Sequence, residues 1–231
     1  MYLRDLAIYA DDAIVDRFPS GFVSWFHRES CCVTELYCSL LGKHVATSDA
    51  AKAHLDFVDS AGNEPSVRQL LNVADVRWPF AFSDYAALVD NDAKKRMLFD
   101  ALHAALLWLA ALRDWPTSGL EHCRAEALSR NLTHTGWSKQ TWPDPSGKLR
   151  AKIGFSFELR SVEFYVGVFD RRGRELGRKP LGAVVPEMGV TRPILKGRGE
   201  WDAANKFRVQ LGEGSFYLPR AWEVDLAALV V

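Results

Sequence analysis

From Leu149 onward the chain alternates apolar and polar residues with a period of two. Leu149, Ala151, Ile153, Phe155, Phe157 and Leu159 are separated by Arg150, Lys152, Gly154, Ser156, Glu158 and Arg160. Successive side chains of a strand point to opposite faces, so this pattern predicts a strand with one buried and one wetted face. Val162, Phe164, Val166 and Val168 repeat it, and Asp170-Arg-Arg-Gly173 supplies a turn with glycine where a positive φ is wanted. The two runs are therefore expected to form a hairpin. Further strands are predicted near residues 181–185, 207–211 and 215–218, with Pro180, Pro186, Pro193 and Pro219 confining them to edges or strand ends.

Upstream of Gly136 the period differs. Leu98, Leu102, Ala105, Leu109 and Leu112 recur at three- and four-residue steps, which predicts a helix over residues 93–113 with Asp92 as its N-cap. Asp114-Trp115-Pro116 ends it, because proline cannot continue the hydrogen-bond ladder. Ser118 followed by Glu121 has capping-box spacing and opens a second helix to about Arg130, so the two form an antiparallel pair. A short helix is expected over residues 83–89. At the N-terminus, residues 3–10 and 13–18 are β-prone runs around Asp11-Asp12 and predict a hairpin, with residues 21–27 as a third strand. Residues 29–41 fit helix or strand, closing at Gly42. Alternation of Ala53, Leu55 and Phe57 favours a strand over residues 51–58 against the helical spacing of Ala51, Leu55 and Val58.

These patterns define an α+β chain: an N-terminal mixed β/helical part with an antiparallel helix pair, then a mainly antiparallel β-sheet. A single compact domain over 1–231 is expected, with a sub-division into 1–135 and 136–231 and the loop Trp142-Pro-Asp-Pro-Ser-Gly147 as the best candidate boundary. Charge changes near the same place. Residues 1–130 hold 13 Lys+Arg against 18 Asp+Glu, and residues 131–231 hold 16 against 11, so a formal net charge of zero conceals an acidic and a basic half. Such polarity points to macromolecular partners more than to a small-molecule pocket.

The acidic residues near the start interrupt the apolar core that a secretory signal requires. The longest apolar run, residues 104–112, is about half of the roughly 20 residues needed to span a membrane. Four cysteines, three of them crowded between Cys31 and Cys38, read as reduced thiols of a cytoplasmic protein and not as a disulfide framework.

Motifs of catalysis are sparse. His27, Cys31, Cys32, Cys38 and His44 are chemically suited to zinc, but no Cys-x-x-Cys knuckle is present, so no metal site and no cofactor are expected. Cys31 or Cys123 with a histidine could form a nucleophilic pair, yet no sequence context marks either thiol as activated, and His122 and Cys123 face different directions on a helix. Gly197-Arg-Gly199 and Gly212-Glu-Gly214 lack the rest of a phosphate-binding fingerprint and are read as turns.

Two charged sets remain. Asp11, Asp12 and Asp16, with Asp84, Asp90 and Asp92, are candidates for recognition of a basic partner, set against roles as turn, cap or solvated residues. Arg171, Arg172, Arg174, Arg178 and Lys179 crowd one hairpin beside Tyr165 and Phe169, the ingredients of a nucleic-acid surface. Cationic protection of an edge strand uses the same residues, and the zero overall charge argues against nucleic acid as the partner.

The order of segments resembles that of the small cytoplasmic immunity proteins that bacteria encode beside polymorphic toxins of the contact-dependent or Rhs type. The segments are Ile8-Tyr-Ala-Asp-Asp12, Trp78-Pro-Phe-Ala-Phe-Ser-Asp-Tyr85, Asp100-Ala-Leu-His-Ala-Ala-Leu-Leu-Trp108 and Phe164-Tyr-Val-Gly-Val-Phe-Asp-Arg-Arg-Gly173. The likeness covers most of the chain as a pattern of segments and transfers no residue roles. It implies a non-enzymatic inhibitor that binds a cognate protein toxin domain in the cytoplasm. The alternatives are a nucleic-acid-binding module using the Arg171 hairpin, and a hydrolase-like enzyme without a recognisable motif.

Overall fold

Parallel pairing organises the first half of the molecule. The computed structural model describes residues 1–202, 206–210 and 221–229, and its chain contacts define two compact units, Met1–His134 and Thr135–Val231. In the first unit, β1 (Asp5–Ala10), β2 (Lys52–Asp59), β3 (Ser66–Leu70) and β4 (Val73–Phe80) form a sheet in the order β1-β2-β4-β3. β1, β2 and β4 run parallel, and β3 is antiparallel to β4. Parallel neighbours require a crossover, and α1 (Phe22–Leu41) makes the one from β1 to β2.

The predicted N-terminal hairpin and third strand are thus corrected. Asp12–Arg17 is a 3-10 turn whose first free amide, Ala13 N–H, donates to Asp11 Oδ1 at 2.9 Å, and residues 22–27 open α1. The Asp-Asp pair caps a helical turn in place of closing two strands. In α1 the apolar steps Phe22, Phe26, Val33, Leu36 and Leu41 are broken by Glu29, which is buried, so a carboxylate occupies a core position and obscures the helical period.

The remaining helices follow the sequence more closely. α2 (Phe82–Ala87), α3 (Asn91–Leu112) and α4 (Ser118–Ser129) occupy the expected segments. The cap of α3 is Asp90, which accepts from Ala93 N–H at 2.9 Å, and not Asp92. Thr117, not Ser118, is the N-cap position of α4, and no side-chain cap forms there. α1 packs against β1, and α3 against β4. Leu6, Ile8, Leu55, Phe57 and Val76 supply the buried sheet face. Phe26 sits at its centre, 1% exposed, with Phe80, Phe82 and Tyr85 ring centroids 5.1 to 5.5 Å away.

The second unit is mainly antiparallel, as expected from its strands with one buried and one wetted face joined by a tight turn. β5 (His134–Trp137), β6 (Trp142–Pro143), β7 (Leu149–Phe157), β8 (Val162–Asp170) and β9 (Glu175–Val184) form one sheet. α5 (Thr191–Leu195) follows, and β10 (Arg198–Trp201), β11 (Lys206–Gln210) and β12 (Ala221–Asp225) make a second, antiparallel sheet. Gly199 therefore lies in a strand, not a turn. The strand expected at 215–218 and the turn at 212–214 fall outside the described residues. Phe155, Phe157, Phe164 and Val166 are buried on one face of the larger sheet, where Trp222 of β12 packs against Phe164 at 5.6 Å. The hairpin turn forms as read: Gly173 has φ of 80°, and the Asp170 carboxylate accepts from Arg172 and Arg174 N–H, both at 2.9 Å. Those amides hold the Asp170 carboxyl below the usual carboxylate range. Among the described residues no helix is long and apolar enough to cross a membrane.

Candidate binding surfaces

Because β1, β2 and β4 are parallel, their carboxyl ends finish together at Ala10, Asp59 and Phe80. The segments leaving those ends carry the acidic residues. Phe18 and Phe22, which follow the 3-10 turn, stack at 4.3 Å, and each meets Phe82 of α2 at 6.3 Å. This ring contact brings the turn with Asp12 and Asp16 beside the first turn of α2 with Asp84. The start of α3 is tied to the same region, since Lys94 Nζ lies 3.2 Å from Glu29 Oε2 of α1.

The six acidic candidates divide by what they hold. Asp11 is committed to structure, with one oxygen on Ala13 N–H and the other 2.6 Å from Arg77. Asp90 caps α3, and Asp92 lies 4.0 Å from Lys95 Nζ. Asp12, Asp16 and Asp84 are exposed and have no hydrogen bond or ion pair among the described residues. Exposed apolar side chains accompany them: Val15 in the same turn and Trp25 in the first turn of α1, each 49% exposed, and Val89 between α2 and α3.

A second polar surface occupies the sheet face away from the helices. Register places Tyr9, Asp56, Arg77 and Ser66 in one row and Ala7, His54, Asp75 and Arg68 in the next. His54 Nδ1 is 3.3 Å from Asp75 Oδ1, whose other oxygen accepts from Arg68 at 3.2 Å. Desolvation, with Asp75 and Asp11 adding like charge, raises the Asp56 carboxyl above its ordinary value. Sequence reasoning missed this face, although alternation in β2 separates His54 and Asp56 from the buried residues.

Two buried polar groups were also not legible. Tyr85 donates to Glu29 Oε2 at 2.6 Å, and the Lys94 ammonium that pairs with the same carboxylate lies 4.7 Å from the Tyr85 ring centroid. Tyr37 and His103 Nδ1 are 2.9 Å apart, with Glu121 3.8 Å from His103 Nε2. Tyr37 and His103 are buried while the Glu121 side chain is about half exposed, and burial raises the Tyr37 hydroxyl pKa steeply.

Three of the four thiols have defined surroundings, and none of these favours the thiolate. Burial pushes Cys123 up to about 11, and Cys31 and Cys32 donate to the His27 and Glu29 carbonyls at 3.2 Å. His122 packs on His44 with centroids 4.7 Å apart. Among the described residues no three His, Cys, Asp or Glu side chains converge as metal ligands.

In the second unit the basic candidates occupy the end and edge of one hairpin. Arg171 Nε donates to Gly147 O at 3.0 Å, Arg174 pairs with Asp170 at 3.2 Å, and Arg178 makes a two-pronged contact with Glu175 at 2.7 and 3.0 Å. Arg172 and Lys179 have no carboxylate partner among the described residues. Lys148, Asp170, Arg171, Arg172 and Arg174 border an open groove of about 420 Å³. Beyond it, on the sheet face opposite the core, Trp137 stands against Tyr165 and Phe169 at 5.0 and 5.1 Å, nearly perpendicular to both rings. Sequence reasoning named Tyr165 and Phe169 here, but not Trp137, which arrives from a separate strand. Comparison with known proteins gives no significant match to a protein family, to a curated protein or to a solved structure.

Proposed function

We propose that this protein is a non-enzymatic inhibitor that neutralises a cognate bacterial toxin domain by direct complex formation, docking through the acidic carboxyl-end surface of its first unit. The observation that carries this reading is the placement of exposed Asp12, Asp16 and Asp84, without side-chain ion pairs among the described residues, on the segments that leave the carboxyl ends of β1 and β4, which also carry exposed Val15 and Val89, with Trp25 following in the first turn of α1. An interface combines apolar or aromatic anchors with a polar rim, and a uniform charge on that rim selects a partner of opposite sign. A basic toxin domain, of the kind that acts on nucleic acid or nucleotides, has that complementarity. The resemblance in segment order to immunity proteins of polymorphic toxin systems favours the same class, and on this reading the inhibitor acts in the cytoplasm, where such a toxin would meet its target.

Co-expression of the full chain with each candidate toxin domain encoded beside its gene tests the proposal. Cells are expected to survive toxin induction, and the two purified proteins to elute as one complex. Undiminished toxicity with both proteins expressed and folded would overturn it.

A further inference from the structure

We infer that the face of the β5–β9 sheet opposite its core binds single-stranded nucleic acid, with bases stacking at the half-buried Trp137 and Tyr165, which the buried Phe169 backs, and phosphates held by the cationic end of the β8–β9 hairpin. This surface belongs to the second unit and the acidic one to the first, and neither inference depends on the other.

The aromatic part is built by two glycines. A Cβ on Gly167 would lie 2.5 Å from the Trp137 ring, and one on Gly154 would lie 2.9 Å from it and 2.2 Å from Tyr165. Glycine at both positions lets the indole seat directly on the backbone of β7 and β8, with Tyr165 and Phe169 standing on either side. Cations sit over these rings: Lys152 Nζ is 5.1 Å from the Phe169 centroid, and the Arg178 guanidinium is 4.8 Å from Tyr165 and 5.4 Å from Trp137. Glu175 fixes Arg178 by two hydrogen bonds, which presents its guanidinium plane as a further stacking surface.

Charge then decides the occupant. Lys148, Arg150, Lys152, Arg171 and Arg172 have no carboxylate partner among the described residues, whereas Asp170 and Glu175 are each taken by an arginine. Register places Arg150 opposite Phe169 and Lys152 opposite Gly167, so cations and rings alternate along one strip from the turn to Tyr165. Five residue steps along the strand lead from Asp170 to Tyr165, about 17 Å, comparable with sheet platforms that stack two or three bases. Protection of an edge strand needs cations at the edge but explains neither the central trio of rings nor the glycines beneath them. The zero net charge of the chain does not oppose this reading, because the compensating acids belong to the other half.

The test is titration of the full-length protein with a fluorescein-labelled 20-nucleotide oligothymidylate at low salt, beside the same length of duplex DNA and poly-glutamate as a polyanion control. The single strand is expected to bind in preference to both and to quench tryptophan emission. Arg171→Glu/Arg172→Glu, which alters only exposed turn residues, should weaken binding about tenfold or more and make it less sensitive to salt, because fewer counterions are released. Trp137→Leu should weaken binding about tenfold through lost stacking while Trp137→Phe retains most of it, with a cooperative unfolding transition above the assay temperature as the check on folding. Absence of binding at low salt, equal binding of poly-glutamate, or indifference to the turn variant would each overturn the inference. Poly-glutamate equivalence would assign the face to acidic protein segments instead.

Discussion

His27 Nε2 accepts a hydrogen bond from the backbone N–H of Ala10 at 2.9 Å, so a side chain of α1 covers an outward amide of β1, an edge strand of the first sheet. An edge amide left open would invite pairing with another chain. The bond requires the unprotonated nitrogen, and desolvation, opposed by the nearby Asp12 carboxylate, holds the His27 pKa below its usual value.

That relationship sets a pH dependence. Burial lowers His27, His103 and His134, the last to about 4. Above pH about 6.5 these groups are neutral in folded and unfolded chains alike and add no slope. As pH falls below that value the unfolded chain takes up protons that the folded chain refuses, so stability declines until the folded pKa values are passed. His134 alone contributes a loss of about 3 kcal/mol by pH 4, at 1.36 kcal/mol per pKa unit. Urea midpoints measured from pH 7.5 to 4.5 are expected to fall in this window, and His27→Gln, which keeps an acceptor for Ala10, should flatten the decline. An unaltered slope in His27→Gln would remove this residue from the linkage.

The Glu29–Lys94 pair is expected to tolerate loss of one partner poorly. Glu29→Leu leaves the Lys94 ammonium, 9% exposed as a side chain, without its carboxylate and Tyr85 without its acceptor. Breaking a buried pair in this way costs about 3–5 kcal/mol, whereas replacing both members by apolar residues is often close to neutral. Chemical denaturation should therefore rank Glu29→Leu/Lys94→Met well above Glu29→Leu. Equal destabilisation of the two variants would show that the charge left behind is not the cause.

Leu71 offers a stabilising change. It links β3 to β4 with Asn72, carries φ of 54° and is 88% exposed, so its side chain gains little burial while its backbone is held in the left-handed region. Leu71→Gly removes the Cβ conflict and is expected to stabilise by about 1 kcal/mol or less, because glycine's freedom in the unfolded chain offsets part of the relief. Thermal unfolding that shifts downward would indicate that the leucine makes a contact worth more than the strain.

Charge reversal of the acidic end separates recognition from folding. Asp12→Lys/Asp16→Lys/Asp84→Lys spares the caps Asp11 and Asp90 and should leave the unfolding midpoint nearly unchanged. If the proposed toxin partner docks here, its association is expected to slow about tenfold or more at low salt, with the difference shrinking as ionic strength rises. Stopped-flow rates identical to wild type at every salt concentration would take this surface out of the interface.

What the linear order of residues determined was local. Alternation in β7 and β8 wrote the hairpin outright, because a half-buried strand needs a period of two, and the leucine steps of α3 wrote a helix. Asp11-Asp12 was ambiguous, since the same side chains close a strand turn or cap a helical one, and only the packing of Ile14, 2% exposed, and of α1 chose the cap. α1 itself was masked by Glu29, a residue that is tolerated in the core because Lys94 and Tyr85 arrive from elsewhere to satisfy it. The acidic end and the aromatic strip were decided by tertiary structure for the same reason. Parallel crossover joined Asp12 to Asp84 across some seventy residues, and strand pairing set Trp137 upon Gly154 and Gly167, and no periodicity along a chain records which of its distant segments will become neighbours.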